Sequence, residues 1–221
     1  MLYVSGVPHL KRDDVDSMAY IAPASNGGSQ LDQSAGLGEP LNVIISALSS
    51  PSVLTTEGIE DYARSFNFST ECFDLHIGNK QTANLGDGQG YQDEIAVMRQ
   101  DFGNPDLGTC LESLAGGNHF RFWRQNTTGA YFLAASKEEW AGDNHDIIPD
   151  GYNIGRDELV GAAAGDTNYN GVNYTTTVDW IAGLLAPGSN GINHGISQDG
   201  MVALLTVTIV NTTFCSSEVH K

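Results

Sequence analysis

Positive charge is scarce in this sequence: 10 Lys and Arg stand against 27 Asp and Glu in 221 residues, a formal net charge of −17. Such a chain repels phosphate backbones and anionic lipid, which argues against nucleic-acid and membrane partners. No apolar run approaches the roughly 18 residues that a membrane-spanning helix needs. Cysteine is rare as well. Cys72, Cys110 and Cys215 show no C-x-x-C spacing, which excludes a zinc ribbon. The sequence also lacks a Gly-x-Ser-x-Gly elbow, a His-Glu-x-x-His zinc helix and a phosphate-binding Gly-x-x-x-x-Gly-Lys loop, so the common motif-bearing enzyme classes lose support. The Gly86-Asp87-Gly88-Gln89-Gly90 run has neither dinucleotide-loop nor EF-hand spacing and reads as a turn. What is present is 40% hydrophobic residues, enough for one buried core.

Several features point to the secretory pathway. Four Asn-x-Ser/Thr acceptors, at Asn67, Asn126, Asn173 and Asn211, exceed the about two that composition alone would supply. Asn126 lies in a turn-like break between two apolar runs, where a glycan would disturb no core. Lys11-Arg12 before Asp13-Asp14 resembles a dibasic processing site. Residues 1–12 therefore read as a propeptide or signal remnant, although residues 1–10 lack the charged start and apolar stretch of a complete signal peptide. In an oxidising compartment, three cysteines make one bridge and one odd thiol. Pairing Cys72 with Cys110 closes a loop that the chain-entropy model values at roughly 3–4 kcal/mol, and Cys110 with Cys215 is the competing pair. Cys215, near the C-terminus, is the candidate for a bond to another chain.

Residues 13–40 are rich in Asp, Ser, Gly, Ala and Gln and are expected as an extended or partly disordered arm before a globular domain over 41–221. Residues 41–48 read as a buried strand. Residues 55–66 open with hydroxyls and acids and space Ile59, Tyr62, Ala63 and Phe66 at three and four, which predicts an amphipathic helix. Residues 72–78 read as a strand, and 91–102 fit neither period, with a short helix slightly favoured. Residues 119–124 and 130–136 flank the Asn126 turn as a β-hairpin. Residues 152–164 read as a helix, and 172–180 and 201–210 as strands, the last of them central. Strict βαβ alternation and internal repeats are absent, so the expected class is α+β: a single domain with a mainly antiparallel sheet and a few short helices.

Three of the six histidines occur in Asn-His pairs in loop-like contexts: Asn118-His119, Asn144-His145 and Asn193-His194. If those loops converge at one sheet end, His119, His145 and His194 with Asp146 form a metal site or an acid–base cluster. Neutral imidazoles bind borderline metals, and a carboxylate fixes their tautomer. A catalytic version pairs His145 as base with Asp146 or Asp150, while Arg121 or Arg156 holds an anionic group. The plainer alternative is that these Asn and His side chains satisfy loop backbone, which leaves no catalytic residue, metal or cofactor. On the hairpin, strict alternation buries Phe120 and Phe122 and exposes Arg121 and Trp123. Trp123, Arg121 and Arg124, with Cys215, are thus the candidate partner-binding residues. A carbohydrate-binding face would instead need Trp123, Trp140 and Tyr152 aligned on one side.

The segments Gly116–Trp123, Pro149–Asp157 and Gly191–His194 resemble segments of small secreted glycoproteins from mushroom-forming fungi, a resemblance that spans roughly residues 41–210 and implies extracellular placement. Size, acidity, glycosylation acceptors and the spare cysteine are similar to those of the small, non-catalytic subunit of heterodimeric fungal laccases. That similarity implies a role in stabilising a copper-bearing large chain, whose own His-x-His copper motifs are absent here. The leading expectation is a secreted, N-glycosylated, non-enzymatic interaction protein, an accessory subunit of an extracellular oxidase such as laccase. Its partner is a larger secreted chain. The runner-up is an extracellular hydrolase or metal-dependent enzyme built on the loop His/Asp cluster, and the third expectation is a carbohydrate-binding protein.

Overall fold

In the computed structural model, which describes residues 18–76, 78–143 and 146–210, the longest β-branched and aromatic runs lie in one sheet. Strands β1 (Val43–Ile45), β2 (Phe68–Thr70), β5 (Ala96–Gln100), β6 (Asn118–Arg124), β7 (Tyr131–Lys137), β8 (Gly165–Tyr169), β9 (Val172–Ala182) and β10 (Met201–Val210) are ordered β2-β5-β6-β7-β1-β10-β9-β8. A separate hairpin joins β3 (Thr82–Asn84) and β4 (Tyr91–Asp93). Every pairing in the large sheet is antiparallel except β1 with β10. Three α-helices, α1 (Thr56–Arg64), α2 (Gly108–Ala115) and α3 (Gly151–Ala163), complete an α+β domain. Among the described residues, no helix is long and apolar enough to cross a membrane.

Helix α1 forms where the hydroxyl and apolar spacing predict it. The Thr55 Oγ1 accepts a hydrogen bond from the Gly58 N–H at 3.0 Å, and Ile59, Tyr62 and Ala63 turn inward. These residues, with Leu159, Val160 and Ala163 of α3, pack on Phe120, Phe122, Leu133, Ala135, Leu205 and Val207 of the sheet. Gly155 lets α3 approach β7 closely, because a Cβ there would lie 2.6 Å from the Ser136 carbonyl carbon. The opposite face carries Ile44, Phe132, Ala134, Val202 and Trp123, covered by Leu41, Ala83, Leu85 and Leu185.

Four segments differ from the sequence expectation, each for a physical reason. Residues 18–40 are not a loose arm. They pack on the second sheet face, where the Ile21 N–H donates to Gln125 Oε1 at 2.9 Å and Asp32 and Glu39 are buried. Side chain to backbone bonding replaces apolar periodicity there, so composition alone misleads. Residues 72–76 form a 3₁₀ turn over Cys72–Asp74 followed by loop, with Phe73 and Asp74 at positive φ, because Cys72 is bonded to Cys110 on α2. Residues 91–102 are β4 and β5, not helix. Neighbouring Val97 and Met98 are both buried on β5, and a strand covered on both faces shows neither period. Helix α2 was hidden because its inward residues are Gly108, Thr109 and Glu112, while Leu107, Leu111 and Leu114 face solvent.

Candidate functional site

Alternation along β6 sends Phe120 and Phe122 to the helix-covered core and His119, Arg121 and Trp123 to the other face. The register sets Arg99 of β5, His119 of β6 and Ser136 of β7 side by side on that second face. Three further carriers of charge close over them: α2 brings Glu112, the end of β7 brings Glu138, and the segment between β4 and β5 brings Glu94. Glu71 and His76 come from the loop held by the disulfide, and Glu39 and Asp32 from the packed N-terminal segment.

The result is a closed circuit of charged and titratable groups. Glu71 Oε2 lies 2.7 Å from His76 Nδ1, and His76 Nε2 lies 3.5 Å from Glu94 Oε1. Glu94 Oε2 is 3.2 Å from Arg121 Nε, and Arg121 Nη1 is 3.4 Å from His119 Nε2. His119 Nδ1 is 3.7 Å from Glu138 Oε1, while Arg99 Nη1 donates to Glu138 Oε2 at 3.3 Å and to Glu112 Oε2 at 3.0 Å. Arg99 Nε, 3.5 Å from Glu71 Oε1, closes the ring. Arg121 also donates to Glu39 Oε2 at 3.2 Å. Asp32 shapes the turn that presents Glu39, accepting from the Ser34 and Glu39 N–H groups at 3.0 and 2.7 Å.

Burial sets the electrostatics. It pushes the Glu39 carboxyl up to about 7 against the opposing pull of Arg121, and the Glu112 carboxyl up to about 7 against Arg99. Burial also raises Asp32 and Glu94. For Arg99, burial acts to lower the pKa, but Glu112 and Glu138 outweigh it and hold the guanidinium above its ordinary value. The circuit reaches the surface in two places. A pocket of about 200 Å³ is lined by Glu71, His76, Lys80 and Glu94, and a groove of about 500 Å³ by Glu138, Gln100, Phe102 and Gly117. A third cavity, about 380 Å³ between α1 and the β9–β10 end, holds Asp61 as its one charged residue.

The predicted site residues fall apart in part. His119 is fully buried in the circuit, but its acidic neighbours are Glu112 and Glu138 rather than Asp146. His194 is exposed, 3.9 Å from Asp146, and His145 lies outside the described residues. Among the described residues, therefore, the Asn-His loops build no histidine cluster. Convergence is carried by Asn193, whose carbonyl accepts from the Tyr152 hydroxyl at 3.4 Å and whose N–H donates to Gly38 beside Glu39. Asp150 caps the start of α3 in the left-handed region. Arg156 is not available for an anion, because Asp199 takes its fork at 2.6 and 2.8 Å and the Trp180 ring lies 5.1 Å away.

Trp123 is 1% exposed, a correction to its expected place on the surface. The β3–β4 hairpin covers the second face, so a strand of the hairpin β6–β7 is buried on both sides. Arg121 is spent on Glu39 and Glu94, while Arg124 is exposed. Tyr152 is also buried, which leaves Trp140 as the one exposed ring of the expected carbohydrate trio. Cys72 and Cys110 form the disulfide, and Cys215 and Asn211 lie outside the described residues. Asn67 and Asn126 are exposed, and Asn173 is half-buried on β9. Sequence reasoning missed Glu39, Glu94, Arg99, Glu112 and Glu138. The usable signal was Arg99 in the largely apolar run of β5 and Arg121 between the aromatic residues Phe120 and Phe122 of β6. No protein-family model, curated protein or solved structure matches the chain.

Proposed function

We propose that this chain is a secreted, N-glycosylated, non-enzymatic interaction protein that docks on a larger extracellular chain, as an accessory subunit stabilising an oxidase such as laccase. The observation that carries this reading is the outward face of α2. Leu107, Leu111 and Leu114, spaced by four and three residues, are 57%, 53% and 66% exposed. Phe73, Leu75, Phe102 and Trp140 also stand in solvent, so seven of the twelve exposed large hydrophobics among the described residues belong to α2 and the segments around it. Singly exposed apolar residues are ordinary, but a concentrated set of this kind marks an interaction surface.

The face is also held rigid. The Cys72–Cys110 bond fixes the Phe73 loop to α2, and the Glu112–Arg99 ion pair anchors the helix from below, which lowers the ordering cost of association. Exposed Asp74, Asp106 and Asp143 give it an acidic rim, which suits a partner with an apolar centre and basic surroundings. The exposed Asn67 and Asn126 acceptors are the positions at which we place glycans.

The test is the thermal inactivation of a fungal laccase large subunit, followed by phenol oxidation, with and without the purified chain. The expected result is a several-fold longer half-life with the wild-type chain and none with Leu111→Gln/Leu114→Gln. An unchanged half-life with the wild type contradicts the oxidase role. A second reading, acid–base catalysis in the circuit, is favoured by Glu39 and Glu112 titrating near neutrality. It requires hydrolysis of chromogenic esters or glycosides that Glu112→Gln abolishes.

A further inference from the structure

We propose that Glu112, His119 and Glu138 form a site for one borderline divalent cation of the Zn²⁺ or Mn²⁺ class, a property that goes beyond the docking role. One ligand atom from each of the three residues lies within 4.8 Å of the others. One imidazole and two carboxylates form a donor set suited to such ions rather than to Ca²⁺ or Cu⁺. Ligand atoms on a Zn²⁺ ion stand about 3.4 Å apart at its usual bond lengths.

The surrounding contacts orient the donors. Arg99 Nη1 donates to Oε2 of both Glu112 and Glu138, which turns the two carboxylates toward one another. Glu112 is 0% exposed at its side chain, and its Oε1 is buried with no hydrogen-bond partner among the described residues. That is a costly state for a carboxylate oxygen, and a cation would relieve it. Glu138 Oε1 already lies 3.7 Å from His119 Nδ1. The other ring nitrogen, Nε2, is 3.3 Å from Ser136 Oγ, with Arg121 Nη1 at 3.4 Å. With a metal on Nδ1, Nε2 carries the proton and donates to the serine oxygen, and the Arg121 Nη1 protons then serve Glu39 Oε2 instead of the ring. Entry is through the groove of about 500 Å³ that Glu138 lines.

The experiment is calorimetric titration of chelator-treated full-length protein with ZnCl₂, beside Glu112→Gln and the surface control Asp143→Asn. One equivalent should bind with a micromolar or tighter Kd. Glu112→Gln should weaken it at least ten-fold while Asp143→Asn and Leu111→Gln/Leu114→Gln leave it unchanged, so that loss of docking and loss of metal are read separately. Wild-type NMR with substoichiometric Mn²⁺ needs no variant and should broaden the His119 ring signals before those of the other histidines. Absence of stoichiometric Zn²⁺ binding overturns the proposal. So does undiminished binding by a folded Glu112→Gln protein, or Mn²⁺ broadening that begins at His76 or His194.

Discussion

The two faces of the large sheet are buried in opposite ways. Under α1 and α3 the face is mainly apolar, with Asn42 and Asn118 donating to carbonyls of α3, and a train of rings from Tyr62 through Phe66, Phe68, Phe120 and Phe122 to Tyr131 runs across it with centroids 4.9 to 6.2 Å apart. Its buried hydroxyl, Tyr62 Oη, meets Thr176 Oγ1 at 2.7 Å. The other face is half apolar, around Trp123 and Phe132, and half a ring of carboxylates, guanidiniums and imidazoles. The contrast shows where stability and chemistry reside. Apolar packing tolerates no vacancy, whereas a buried ion network holds only while each charge keeps its counter-charge.

Substitutions sharpen that contrast. Phe120→Ala, on the apolar face, should cost about 3–5 kcal/mol in urea unfolding. Trp123→Ala should cost a similar amount and leave partner recovery by the refolded protein intact, because Trp123 is core rather than surface. On the polar face, Arg99→Met strands Glu71, Glu112 and Glu138 without their shared cation. It should cost about 3–5 kcal/mol at pH 7.5 and measurably less at pH 5, where the Glu112 carboxyl, raised to about 7 by burial, is protonated and needs no partner. An equal loss at both pH values would break the assignment of the polar face as an ion network.

Titration gives the next smaller effect. Glu39 and Glu112 are raised from 4.5 to about 7 in the folded protein. Between those values the unfolded chain loses a proton that the folded chain keeps. Stability is therefore highest, as far as these two groups act, at or below pH 4.5, falls as pH rises to about 7, and levels off above it. Each group contributes a fall on the order of 3 kcal/mol. Asp199, lowered mainly by its Arg156 hydrogen bonds, acts in the opposite sense below pH 4. Urea midpoints across pH 4 to 8 should slope downward, and Glu39→Gln should flatten the slope. The smallest effect belongs to α2: Leu111→Gln/Leu114→Gln should shift stability by about 0.5 kcal/mol or less, since neither leucine is buried.

The apolar face was legible in the sequence because its residues obey their periods: Ile59, Tyr62 and Ala63 at helical spacing, Phe120 and Phe122 at strand spacing, and the long run of β10. The hairpin turn at Asn126 and the Cys72–Cys110 pairing were legible for similarly local reasons. The polar face was not. Trp123 and Phe132 read as one-sided strand residues, and nothing in their own segment announces that β3 and β4, some forty residues earlier in the chain, fold over them. Glu112 looks like an ordinary helix-surface acid until Arg99, held on β5, draws it inward. His119 carried a recognisable signal, but the companions it has among the described residues include Glu112 of α2 and Glu138 just past β7, which no Asn-His pattern announces. Long-range pairing of charges leaves no period to read.

The central claim, that α2 presents a docking face, is tested most directly by native mass spectrometry of the protein isolated from its source. The prediction is one larger chain bound per copy of the wild type and of Arg124→Gln, and none bound to Leu111→Gln/Leu114→Gln. A wild-type protein that flies as a monomer, or a complex that survives the two leucine substitutions, would contradict the account.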